Sequence, residues 1–139
     1  MNNRYLYRAK RTDNSEWVEG CLLIIDDSEY RIATSCLQGD VKELLNVCAY
    51  EVDQSTICQC TGRKDKNGKL IWDNDIAKQF ADCNELGNSL YFFYRIKWNN
   101  EYSAFEGYEI YTKETVLFPD LEDIEVIGNI FDNPGLLNE

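Results

Sequence analysis

Apolar and polar residues alternate with a period of two along most of the chain, the spacing that sends successive side chains to opposite faces of a strand. Tyr5, Tyr7 and Ala9 alternate with Arg4, Leu6, Arg8 and Lys10, and Asp13-Asn14-Ser15 supplies turn chemistry. Trp17, Val18 and Cys21–Ile25 then make the second arm of a hairpin, with Gly20 predicted to mark a bulge. Asp26-Asp27-Ser28 is the next turn and Tyr30–Thr34 a third strand. Residues 37–46 are too short a pattern for a stable helix and are read as a loop or one helical turn. Val47–Val52 and Thr56–Cys60 are strand-like, split by Asp53-Gln54-Ser55.

Asn67-Gly68, followed by Leu70-Ile71-Trp72, is the strongest hairpin signal in the chain. Asp75–Phe80 resumes strand character, and Asp82–Ser89 reads as a polar connector. Leu90–Trp98, the turn Asn99-Asn100 and Tyr102–Tyr111 form another hairpin, in which Gly107 is a second candidate bulge. Ile124–Ile130 is the last strand, stopped by Asn133-Pro134-Gly135. Short strands broken by turns predict an all-β protein: an N-terminal β region at 1–55 and a small barrel or sandwich at 56–139, or one continuous domain over 1–139.

Composition narrows the chemistry. The 139 residues are 44% hydrophobic and 13% aromatic, enough for an independent core and unlike an acidic disordered tail. Histidine is absent, which removes Ser-His-Asp, Cys-His and His-based metal chemistry together. The net charge of −11 opposes general binding to nucleic acid or to anionic membranes. That charge is uneven: −4 over residues 1–62, +2 over 63–80 and −9 over 81–139. The longest aliphatic run, Leu22–Ile25, is far too short to span a bilayer, and no apolar signal core follows Met1, so a cytoplasmic protein is expected.

Six cysteines (Cys21, Cys36, Cys48, Cys58, Cys60, Cys83) show no CxxC pair and read as free thiols. Cys58 and Cys60 would share one strand face, which is only half of a zinc site. Asp65, Asp73 and Asp75 gather around one hairpin, as carboxylates for Mg²⁺-dependent phosphodiester cleavage would, although their register is not that of a calcium loop. The plainer reading makes them turn and cap residues, with no metal and no cofactor.

Arg63, Lys64, Lys66 and Lys69 form the only basic cluster, and Trp72 beside them is a candidate for stacking on a base. The plainer reading is a charged hairpin tip that resists strand pairing. Tyr91, Phe92, Phe93, Tyr94 and Trp98 put rings on both faces of one hairpin, and a face left uncovered would be an interface. The candidate binding surface is therefore Arg63, Lys64, Lys66, Lys69, Trp72, Tyr91, Tyr94 and Trp98.

Three segments carry a resemblance. Thr61–Ile76 resembles the "TG-x-KDKNGK-x-I-[YW]-E-x-DIV" core of the YopX family of phage and prophage proteins. Glu125–Pro134, completed by Leu136-Leu137, is similar to that family's closing "EVIGNI[YF]-x-NP-x-LL" motif. Arg8–Gly20 is similar to its "FRGKR-x-DNGEWVYG" opening. Arg63 stands where an apolar residue is usual, Ser15 replaces a glycine, and Asp73 stands where Glu is common. The resemblance implies an SH3-like C-terminal barrel and a phage or prophage origin in a bacterial host, and it implies no reaction. The expectation is a non-enzymatic interaction module whose partner is another protein or a second copy, without a membrane, and with nucleic acid only at the 63–69 tip. The alternatives are an acidic DNA mimic using Glu101, Glu106, Glu109, Glu114, Asp120, Glu122, Asp123 and Glu125, and, more weakly, the metal-dependent phosphodiesterase.

Overall fold

In a computed structural model, which describes residues 5–34, 49–117 and 123–137, Asp13-Asn14-Ser15 turns the chain between β1 (Tyr7–Lys10) and β2 (Trp17–Asp26). The Asn14 side chain accepts the Glu16 N–H at 2.9 Å, which fixes the turn. Ser15 sits at φ 60°, a conformation that glycine adopts more easily, and the opening motif has glycine there. Antiparallel pairing continues through β3 (Glu29–Ala33) and β4 (Ala49–Val52), and on the other side of β1 lies β5 (Cys58–Lys64). Ala9, Ile32 and Val52 are the buried centre of this unit, with Tyr7, Val18, Leu22, Tyr30 and Ile57 packed around them.

Gly20 is not a bulge. Its pairing with Tyr7 is in regular register, and the shift in β2 falls between Ile24 and Asp26. Glycine is needed because a Cβ there would collide with the Ala33 carbonyl oxygen. The expected loop at 37–46 lies outside the described residues.

The chain forms two compact units, Met1–Gly62 and Arg63–Glu139, so β5 crosses from one to the other near its end. The second unit holds β6 (Leu70–Trp72), β7 (Asp75–Cys83), β8 (Ser89–Asn99), β9 (Ala104–Glu109), β10 (Thr115–Leu117) and β11 (Ile124–Asn129). Five of these form an antiparallel sheet in the order β10-β9-β8-β7-β11. Ile71, Ala77, Tyr94, Ile96, Phe105, Ile124 and Val126 make its core, flanked by Trp98 and Val116.

Both sheets of this all-β protein are antiparallel, and neither closes on itself. The expected barrel closure is not seen, because β10 and β11 are the two edges of the second sheet and do not pair with each other. Gly107 is also no bulge: it faces Ile96 in an unbroken ladder. The supposed connector at 82–89 is a tight turn instead. Strand β7 runs to Cys83 and β8 resumes at Ser89, while the Asn84 side chain accepts the Leu86 and Asn88 N–H groups at 3.0 and 2.9 Å. Gly87 at φ 83° lets the backbone reverse there.

Candidate functional site

Asp65 opens the turn between β5 and β6 and is itself buried. One carboxylate oxygen accepts the Asn67 and Lys69 N–H groups, both at 2.9 Å. The other accepts the Val126 N–H of β11 at 3.0 Å, across 61 residues of sequence. Beside it the Lys66 N–H donates to the Ile124 carbonyl at 3.0 Å. Burial pushes the Asp65 carboxyl up, but the three backbone donors and the charge of Lys69 outweigh it and hold it below the usual carboxylate range. Gly68, at φ 83°, gives the turn its backbone conformation.

The next turn, from β6 to β7, is built the same way. Asp75 is almost fully buried and accepts the Trp72 N–H at 2.8 Å. Asn74, at φ 72°, donates its N–H to the Ile96 carbonyl at 2.6 Å, accepts the Ile130 N–H at 3.1 Å and accepts Arg95 on its side chain at 3.1 Å. Burial pushes the Asp73 carboxyl up, and its backbone contacts to Trp98 and Asn74 and the charge of Arg95 only partly oppose this.

The closing motif completes the clamp. Asn129 accepts the Phe131 and Asp132 N–H groups, both at 2.9 Å, and the Asn133 side chain accepts the Asn129 N–H at 3.2 Å. A Cβ on Gly128 would collide with that Asn133 oxygen, so the glycine and the asparagine require each other. The core and closing motifs, separated by half the chain, are therefore bound to one another by Asp65, Lys66 and Asn74.

The three aspartates do not converge as a metal site: both oxygens of Asp65 and one of Asp75 accept backbone N–H groups. Among the described residues, no group of three or more His, Cys, Asp or Glu side chains is placed to hold a metal ion. Cys58 and Cys60 are buried, the first donating to the Thr56 carbonyl at 3.2 Å and the second accepting the Gly62 N–H at 3.4 Å. Cys21 and Cys83 are exposed, and Cys36 and Cys48 lie outside the described residues.

The sequence-based binding surface is not one surface. Arg63, Lys64, Lys66 and Lys69 are exposed around the turn, with Lys66 at 3.9 Å from Glu125. Trp72, by contrast, is only 2% exposed, so its indole is core and presents no stacking face. Tyr94 is buried too, and Trp98 is half-buried against Phe105 at 5.0 Å between ring centres. Of the four aromatic candidates only Tyr91 is exposed, and it lies on another part of the unit.

The acidic candidates have different surroundings. Glu106 and Glu109 are buried: Glu109 accepts the Phe93, Tyr111 and Thr112 N–H groups at 2.9, 2.7 and 3.0 Å, and Glu106 accepts the Asn99 side chain at 2.8 Å. Glu125 lies between Lys66 and Lys78. Glu101, Glu114 and Asp123 are exposed, while Asp120 and Glu122 lie outside the described residues. Glu106 and Glu109 are thereby withdrawn from the exposed array that DNA mimicry would use.

One feature the sequence patterning misplaced is the end of the β7–β8 hairpin. Strand β11 pairs with β7 only as far as Gln79, and β9 pairs with β8 only from Tyr94 onward. Beyond those points Phe80–Cys83 and Ser89–Phe92 form a two-stranded arm without a third strand among the described residues. Its apolar side chains are in water: Phe80 is 54% exposed, Leu86 86%, Leu90 47% and Phe92 40%. Phe80 packs edge-on against Tyr91 at 6.0 Å on one face, with Lys78 over the Tyr91 ring at 4.7 Å. On the other face, Leu90 and Phe92 extend the row of Tyr94 and Ile96 out of the core. The signal in the sequence was the uncharged run Ser89–Tyr94 following a turn.

These features define a class: an all-β chain of two open-sheet units, whose second unit is locked by buried polar turns and carries an apolar hairpin arm. The chain matches the YopX protein family model over residues 6–138, and it belongs to that family. Comparison with curated proteins gives no match.

Proposed function

We propose that this protein is a non-enzymatic interaction module and that the β7–β8 arm is its binding element. The observation that carries the reading is the exposure of Phe80, Leu86, Leu90, Tyr91 and Phe92 together at the end of one hairpin, on both of its faces. Scattered exposed apolar residues need no explanation, but five of them gathered on one hairpin end mark a place where another molecule docks. Asp65 and Asp75, the carboxylates that could have suggested catalysis, accept backbone N–H groups in turns, whereas the apolar side chains at the end of the arm stay exposed.

The family resemblance supports an accessory protein of a phage or prophage, acting in the cytoplasm of the bacterial host. Among the described residues no helix is long and apolar enough to cross a membrane. Nucleic acid enters this reading only at the basic turn around Lys64 and Lys69, because a chain of charge −11 repels phosphate elsewhere. Electrophoretic mobility with duplex and single-stranded DNA at low and high salt tests that turn. The main reading is tested by affinity capture from the host bacterium with the wild-type chain and with Leu90→Lys: the variant is expected to lose what the wild type retains, and equal capture by both would overturn the arm as binding element.

A further inference from the structure

The edge of the arm has a definite hydrogen-bonding pattern. The Phe93 carbonyl accepts the Ile110 N–H at 2.9 Å and the Phe93 N–H donates to Glu109, so both backbone groups of Phe93 point to the β9 side of β8. Backbone direction alternates along a strand, so the N–H and C=O groups of Tyr91 and Ser89 point to that same side. Strand β9 has ended there, and no strand among the described residues lies beside them. Natural sheet edges are normally protected by lysine, proline, a bulge or an inward charge. The stretch Asn88–Tyr94 has no lysine, proline or inward charge on this edge, and the arm's one register shift lies on the β7 side, between Phe80 and Asp82.

We infer that a second copy of this chain covers the edge, the two β8 strands pairing antiparallel about a two-fold axis at Leu90. In that register Ser89 faces Tyr91 of the partner subunit and Tyr91 faces the partner's Ser89, which uses the outward donors and acceptors of both residues in two reciprocal pairs. Leu90 lies opposite the partner's Leu90. An antiparallel edge is self-complementary under a two-fold rotation, so no second type of surface is required. This rests on the arm being the binding element and names its occupant.

Area fits a weakly held second copy. The exposed parts of Leu86, Leu90, Tyr91 and Phe92 come to on the order of 400 Å² per copy, and two arms supply about 800 Å², the size of a weak, concentration-dependent contact. A net charge of −11 on each copy opposes association in general. Residues 80–93, however, carry only Asp82 and Glu85; Asp82 lies on β7 opposite Leu90, one strand away from the proposed seam, and the Lys78 ammonium over the Tyr91 ring brings the opposite charge to the same arm. Charges farther off are screened beyond about 8 Å at physiological salt.

Sedimentation velocity on the full chain over a concentration series tests this. The wild type is expected to pass from monomer to dimer, and a chain that stays monomeric at high micromolar concentration overturns the inference. Leu90→Lys places two ammonium groups opposite each other and is expected to weaken the dimer by about 100-fold. Ser89→Pro removes an outward N–H while leaving the apolar faces intact, because that N–H is not used within the hairpin. It is expected to weaken the dimer as well, and a dimer untouched by both substitutions assembles elsewhere and overturns the inference. Hydrogen exchange gives a separate readout: the Ser89 and Tyr91 amides should gain protection as the dimer forms, and unchanged exchange in a dimeric sample sinks the proposed register. If the wild type is monomeric while Leu90→Lys still abolishes capture of a host protein, the second copy is wrong and the interaction module stands. If Leu90→Lys alters neither measurement, both fall.

Discussion

Two hairpin ends of the second unit make opposite use of similar turn chemistry. At the β5–β6 turn, charged and polar residues crowd together, yet Asp65 satisfies donors from its own turn and from β11. At the β7–β8 turn, Asn84 closes a tight turn by the same kind of side-chain acceptance, but the strands leading to it bury almost nothing. The lesson is that polarity and exposure are decoupled here. The conspicuous Asp65 is buried and holds the fold together, while Tyr91 and Phe92 of the plain aromatic run are exposed.

The sharpest break in the first region is Asp65→Ala, which leaves the Asn67, Lys69 and Val126 N–H groups without their acceptor. It is expected to cost about 3 kcal/mol in urea unfolding monitored by circular dichroism. A cost below about 1 kcal/mol would show that water replaces the carboxylate and that the clamp is not a clamp. Gly128→Ala comes next: displacing Asn133 from Asn129 is expected to cost about 1–2 kcal/mol, and combining it with Asn133→Ala should relieve the collision but not restore the lost turn bonds.

Acid should act on the two aspartates in opposite directions. Asp65 has a lowered folded pKa, so the unfolded chain takes up its proton first; its contribution is present above the ordinary value of about 3.9 and is lost as pH falls through the folded one. Asp73 has a raised folded pKa, so the folded chain takes its proton first, and stability declines as pH rises from the ordinary value through the folded one. Asp73→Asn is therefore expected to raise the Tm at neutral pH, with the gain shrinking in acid. A loss at neutral pH would mean that the charge of Arg95 and the backbone donors outweigh burial.

The smallest effect on stability belongs to the arm. Leu90→Lys should change unfolding of the monomer by no more than about 0.5 kcal/mol, since the side chain leaves one solvated face for another. If it destabilises the chain as Asp65→Ala does, the arm is part of the core and the contrast between the two regions disappears.

The strands were legible where alternation was strong, as in Tyr7–Lys10 with Trp17–Asp26 and in the hairpin of β8 and β9. Residues 82–89 misled because Asp82, Asn84 and Glu85 lack apolar alternation, and an arm that packs against nothing has no need of it. Strand β10 is three residues long and was too short to register. The resemblance located the motifs correctly but not their reason, since the bond from Asp65 to Val126 depends on a pairing that no local pattern encodes. Barrel closure failed on the same ground: whether two edge strands meet is a property of the whole sheet. Trp72 was misread as an exposed platform because its neighbours in sequence are charged, whereas its backbone leads directly into the core.

The position of β11 sets an order of events during synthesis. It is the last strand of the second sheet, and it pairs with β7, which leaves the ribosome about fifty residues earlier at a typical 5–20 residues per second. For those seconds β7 has an open edge along Asp75–Gln79, and Asp65 has no Val126 to accept from. The nascent chain thus holds two open edges at once, one that its own later sequence will cover and one, on β8, that no strand among the described residues covers. A chain stalled before residue 124 should be far more prone to aggregate than one that has passed residue 129, because the polar clamp that covers the β7 edge arrives only with β11.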